Sequence, residues 1–119
     1  MLRNDLYQIT AIEETGGVFV YRVALLPESA IYAAHFKGMP VTPGACLVQM
    51  AAELASEAAG HALEVEEASD IRFLHPVTPG EIACLDFRLM PDADDPVRWS
   101  VQVLSGETLC ARMKLSMRQ

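Results

Sequence analysis

Residues 40–55 read PVTPGACLVQMAAELA, and the opening pentapeptide PVTPG returns at residues 76–80, ahead of EIACLDFRL. A true duplication would keep one periodicity after each copy, and these two do not. After Gly44 the apolar residues run almost without pause and are interrupted only by Gln49 and Glu53, four apart, which is the spacing of a buried helix. After Gly80, Ala83, Leu85, Phe87 and Leu89 alternate with Cys84, Asp86 and Arg88, the pattern of a half-buried strand. One turn therefore launches a helix and the other a strand. Thr42 is the expected N-cap of that helix with Pro43 at its first position, and Gly60 is its expected stop.

Working outward, residues 7–12 and 18–25 flank EETGG and form a first hairpin. Downstream, LEVEEASDIRFL, EIACLDFRLM, VRWSVQVL and TLCARMKLSMR are separated by HPVTPG, PDADDP and SGE, and they read as four strands. The last of them alternates cleanly, with Leu109, Ala111, Met113, Leu115 and Met117 on one face and Cys110, Arg112, Lys114 and Ser116 on the other. Two strands, one long apolar helix and four antiparallel strands make an α+β layout in which a curved sheet covers the helix. A helix that is apolar nearly all round has to be wrapped, and one small sheet leaves a face for a second copy of the chain.

The chain has 119 residues, 51% of them hydrophobic, which suits one domain spanning residues 1–119. It shows neither the apolar run of a signal peptide nor 18 consecutive apolar residues, so a cytoplasmic protein without a membrane span is expected. Cys46, Cys84 and Cys110 are odd in number and widely spaced, which suggests reduced thiols rather than disulfides or a zinc site. The net charge is −7, and the nine Lys and Arg residues are dispersed along the chain, which argues against nucleic acid or an anionic membrane. An acidic partner would need a local basic patch that the linear sequence does not display.

His35 precedes a tight loop that ends at the start of the helix, where free N–H groups and the helix dipole favour an oxygen carrying negative charge. Gly44 lets a ligand approach that backbone closely. Gln49 and Glu53 add a polar stripe to the same helix. A base, an oxyanion-binding helix tip and a polar partner are the parts needed to remove a proton beside a carbonyl and expel a β-hydroxyl. The alternative is that the stripe only hydrogen-bonds within a dimer seam.

HFKGMPVTPGACLVQMAAELA resembles the signature of the 3-hydroxyacyl-acyl-carrier-protein dehydratases of the hot-dog fold. ALLPESAIYAAHF and IRFLHPVTPGE resemble that family's segments before the histidine and after the helix. The resemblance covers nearly the whole chain. It implies a double hot-dog homodimer with active sites at the subunit interface and an acyl-carrier-protein or coenzyme A thioester as substrate. It also implies a hydro-lyase without metal or redox cofactor, serving fatty-acid or polyketide-like biosynthesis. His35 would be the base, and the backbone at Gly44 and Ala45 would hold the thioester carbonyl. Tyr32 and Phe36 would shape the mouth or pack in the core.

Two departures stand out. Lys37 replaces a proline, which relaxes the loop and brings a positive charge toward an incoming phosphate. Gln49 stands where the family carries its acid, and Glu53 where it carries a glutamine, as though the two had been exchanged along one helical face. Either Glu53 acts as the acid, or it orients Gln49 while His35 serves as both base and acid. A hot-dog thioesterase using Glu53 and a non-catalytic acyl-thioester-binding partner subunit are the competing readings. His61 is read as an exposed cap past the helix end, His75 as part of an extended turn before Pro76, and Cys46 as a small core residue.

Overall fold

The computed structural model describes every residue except His35, Phe36, Lys37 and Met39. Eight elements follow in chain order: β1 Tyr7–Thr15, β2 Val18–Leu25, α1 Ala30–Ala34, α2 Gly44–Ala59, β3 Glu64–Phe73, β4 Cys84–Pro91, β5 Arg98–Ser105 and β6 Thr108–Arg118. The six strands form one antiparallel sheet in the order β1-β2-β4-β5-β6-β3. The expected order of two strands, a long helix and four strands is thus observed, with α1 as an additional short helix and β1 continuing through Thr15.

The sheet curves around α2. Leu47, Met50, Ala51, Leu54 and Ala55 bury the inner stripe of the helix against the alternating inward residues of the strands, among them Val23, Phe87 and Val101. Alanines at Ala51, Ala52 and Ala55 allow close approach, while Met50 and Leu54 fill the space between. Each large side chain so buried contributes about 1.5–3 kcal/mol.

The helix does not begin as expected. Pro43, with φ −59° and ψ 145°, occupies the N-cap position, and no side chain caps the end. Thr42 is instead 4% exposed, and its hydroxyl shares a 2.8 Å hydrogen bond with the Tyr32 hydroxyl. Proline supplies the extended backbone that an N-cap requires, which frees Thr42 for this tertiary contact. At the other end Gly60 takes the left-handed conformation at φ 80°, and its N–H donates to the Ser56 and Glu57 carbonyls.

The two PVTPG turns meet. The Thr42 N–H donates to the Val77 carbonyl at 2.7 Å, and Val77 is 1% exposed. The echo in the sequence is therefore a pair of turns packed on each other, one of them launching α2 and the other leading to β4.

A second expectation fails at Cys110, which is buried together with Ala111 rather than facing outward. The β5–β6 register shifts between Val103 and Leu104, so Cys110 drops out of the pairing and two successive residues face the core. The Cys110 carbonyl accepts hydrogen bonds from Leu74 and His75, which ties down the chain leaving β3.

Candidate functional site

The site assembles around the first two turns of α2. The Cys46 and Leu47 N–H groups turn back to the Pro43 carbonyl, which leaves the N–H groups of Gly44 and Ala45 leading the tip. Ala45 is exposed, and Gln49, one turn further along the same face, is exposed too. Phe73, at the end of edge strand β3, lies over this tip. A methyl group on Gly44 would stand 2.5 Å from Phe73 Cζ, so no residue with a Cβ fits without moving the ring. Phe73 itself is 54% exposed, and Leu74 beside it 55%.

His35 and Phe36 lie outside the described residues. The anchors before and after them in the chain are described. Tyr32 is buried on α1, and its hydrogen bond to Thr42 clasps the two ends of the segment that carries His35. Tyr32 thus packs in the core instead of lining a mouth, and burial pushes its phenol upward.

Glu53 is the most heavily bonded side chain among the described residues. Its Oε2 accepts from the Leu2 N–H at 2.8 Å and from Gln49 Nε2 at 3.0 Å. Its Oε1 accepts from the Arg3 N–H at 3.0 Å and from the Tyr7 hydroxyl at 2.9 Å. Burial alone pushes this carboxyl up, but the bonds from Leu2, Gln49, Tyr7 and Arg3 outweigh it and hold the group below its ordinary range. Burial, followed by the bond to Glu53, pushes the Tyr7 phenol far up, so Tyr7 is a fixed donor. The carboxylate acts as a clasp that fastens the chain start to α2. It also fixes the amide of Gln49, because Nε2 must face Glu53, so Oε1 is directed elsewhere as an acceptor. Tyr7, the Leu2–Arg3 backbone and Phe73 were not marked by the sequence. Their contacts with α2 link residues about 30 to 50 positions apart.

Cys46, expected in the core, is only partly buried against it. His61 and His75 are exposed and turn toward the carbonyls of Ala62 and Pro76. Burial pushes the Cys46 and Cys110 thiols upward, away from the thiolate form.

A profile of the ApeI dehydratase family matches residues 11–114. The chain belongs to the ApeI-like dehydratase family. No curated protein matches this ApeI-like sequence. Among solved structures it resembles the dehydratase heterocomplex ApeI:P from Xenorhabdus doucetiae, with TM-score 0.81 and 13% identity over 95% of this chain and 98% of the other. A protein from Erwinia carotovora subsp. atroseptica superposes with TM-score 0.64 at 19% identity, covering 95% of this chain and 94% of that one. A thioesterase from Haemophilus influenzae gives TM-score 0.65 at 14% identity, covering 93% and 76% respectively. These likenesses establish the hot-dog fold for this ApeI-like chain, an α+β architecture of a helix in a curved antiparallel sheet. No described helix is long and apolar enough to cross a membrane.

Proposed function

We propose that the protein dehydrates 3-hydroxyacyl thioesters to 2-enoyl thioesters, with His35 as both base and acid. The carrying observation is the clasp on Glu53. A carboxylate that is ionised and holds four hydrogen bonds has no proton to give, and releasing it would loosen the chain start from α2. Glu53 is then a positioning residue for Gln49, and the exchanged-acid scheme gives way to the single-histidine one.

The reaction balances without a redox partner. The imidazole of His35 removes a proton from the carbon beside the thioester carbonyl, and the Gly44 and Ala45 N–H groups hold the carbonyl oxygen as enolate character develops. Collapse of the enolate forms the carbon–carbon double bond and breaks the bond to the β-hydroxyl. That oxygen leaves as water with the proton returned by the imidazolium. Gln49 Oε1 accepts the hydrogen bond of the hydroxyl and sets its position, a role open to an amide where proton donation is not.

Beside Ala34, the residue before His35, a cleft of about 690 Å³ is walled by Leu2, Leu26 and Ile31 and offers room for an acyl chain. Strand β3 is at the sheet edge and exposes Ile71, Phe73 and Leu74 near the helix tip, which favours a second subunit covering this edge. A homodimer built there would place the partner beside each site. The carrier-protein thioester is the substrate of first choice, with the coenzyme A thioester beside it and the biosynthesis of fatty acids or related chains as the setting.

The likeness to a heterocomplex favours a second reading, in which a different subunit occupies that edge and supplies the acid. Steady-state kinetics on a 3-hydroxyacyl-pantetheine thioester separates the two. Under the single-histidine scheme the isolated protein turns over, His35→Ala abolishes kcat, and Glu53→Gln retains kcat within about tenfold. Loss of turnover in Glu53→Gln equal to that in His35→Ala, with the fold intact, overturns the scheme. Turnover only after addition of a partner subunit supports the second reading.

A further inference from the structure

Of the nine basic residues dispersed along the sequence, Arg72, Arg88, Arg112 and Lys114 come together on one face of the sheet. Strand pairing places Arg72 opposite Arg112, Arg112 opposite Gln102, and Gln102 opposite Arg88, in one row across the outer face of the sheet. At the strand spacing of a sheet, the row is about 14 Å long. Lys114 sits two residues from Arg112 on the same face, and Ser100 is opposite it. Between the strands runs an open cleft of about 350 Å³, lined by Arg72, Arg112, Lys114, Gln102 and Asp70.

The charges on this row are not neutralised internally. Among the described residues, no carboxylate pairs with Arg72, Arg88 or Arg112. Asp86 is taken by Arg22 through bonds of 2.9 and 3.1 Å, and Asp70 reaches only Lys114, at 3.7 Å with both groups mostly exposed. Arg88 spends one guanidinium nitrogen on Gln102 Oε1 at 3.0 Å, which holds the row in line. Two guanidiniums facing each other across neighbouring strands oppose folding. Nothing in the stability of the sheet calls for Arg72 opposite Arg112.

We infer that this arginine row is the docking surface for an acidic acyl carrier protein. A protein of net charge −7 repels an extended polyanion such as nucleic acid at long range, whereas a compact acidic partner needs only a local patch of opposite sign. Carboxylates one turn apart on an acidic helix, about 6 Å along its axis, match guanidiniums standing on neighbouring strands. The row also begins beside the candidate site. Arg72 faces outward and the next residue, Phe73, faces inward over Gly44, so a carrier held at Arg72 sits on the outer face of the strand whose edge, covered by the second subunit in the proposed dimer, borders the helix tip. The inference rests on the dehydratase reading only for the cargo of the carrier.

The test compares one substrate with and without its carrier. Binding of a carrier protein bearing a 3-hydroxyacyl amide is measured for the wild type, the double variant Arg72→Gln/Arg112→Gln and the control Arg118→Gln, whose guanidinium already pairs with Glu64. The KM for the free 3-hydroxyacyl-pantetheine thioester is measured alongside. The double variant is expected to bind the carrier about tenfold more weakly, with a shallower salt dependence. Its KM for the free thioester should be unchanged, its Tm equal or higher, and the control should match the wild type. Equal carrier affinity in the wild type and double variant overturns the inference while leaving the dehydratase reading standing, as does a failure of the wild type to bind carrier. Arginine-dependent binding of carrier with no enoyl product on either substrate supports the docking surface and removes the dehydratase reading. Arginine-dependent binding of single-stranded RNA in place of carrier also overturns it.

Discussion

Removing the Glu53 carboxylate by Glu53→Ala tests the clasp and the role assigned to it. The Tyr7 hydroxyl loses its partner at 2.9 Å while its residue remains buried, and an orphaned buried donor costs about 1–3 kcal/mol. The other three donors, the Leu2 and Arg3 N–H groups and Gln49 Nε2, lie in part-buried or exposed bonds that water replaces, so together they add about 1 kcal/mol. The sum is about 2–4 kcal/mol, or about 8–16 °C in Tm for a domain of this size. Thermal unfolding gives the number, and hydrogen exchange should show the Leu2 and Arg3 amides losing protection first. Acidification gives an independent arm. Because folding holds the Glu53 carboxyl below its ordinary value of 4.5, its contribution is complete above that pH and is lost as pH falls through the lower folded value. In Glu53→Ala the wild-type loss of stability below about pH 4.5 should therefore be shallower. A Tm within 2 °C of wild type, with the N-terminal amides still protected, would refute the clasp on the scale estimated from these bonds.

Gly44→Ala should move only Phe73, an exposed ring at the far end of a side chain, so Tm is expected within about 3 °C of wild type while kcat/KM falls at least tenfold as the tip is blocked. Equal kcat/KM would remove Gly44 from the site. Tyr32→Phe strips the 2.8 Å bond from buried Thr42 and should cost about 1–2 kcal/mol in urea unfolding, with turnover reduced because the anchor of the His35 loop is loosened. Cys46→Ala should leave turnover within about twofold, since burial keeps the thiol protonated; complete inactivation would point to a thiolate nucleophile instead.

What was legible in the sequence was what local chemistry decides. The gapless apolar run after Gly44 and the alternation after Gly80 separated helix from strand, and Gly60 ended the helix in the left-handed conformation expected of it. The start of the same helix was misread by one position, since Pro43 serves as N-cap and Thr42 is drawn into a contact with Tyr32, ten residues away. Cys110 was misplaced because a register shift is a property of two strands and not of either one. Glu53 and Gln49 were found from their helical spacing. That Glu53 is tied to Leu2, Arg3 and Tyr7 depends on where the chain start is folded, which no local pattern encodes. The charge census misled for a related reason. Arg72, Arg88 and Arg112 are far apart along the chain, yet antiparallel pairing lines them up in one row.

The central claim, that this hot-dog chain eliminates water by way of His35, is tested most directly by identifying the product. Mass spectrometry of a 3-hydroxyacyl-pantetheine thioester incubated with the purified wild type should show the 2-enoyl thioester, lighter by one water, with none formed by His35→Ala. Free pantetheine thiol with intact hydroxy acid, or unchanged substrate bound but never converted, would contradict it.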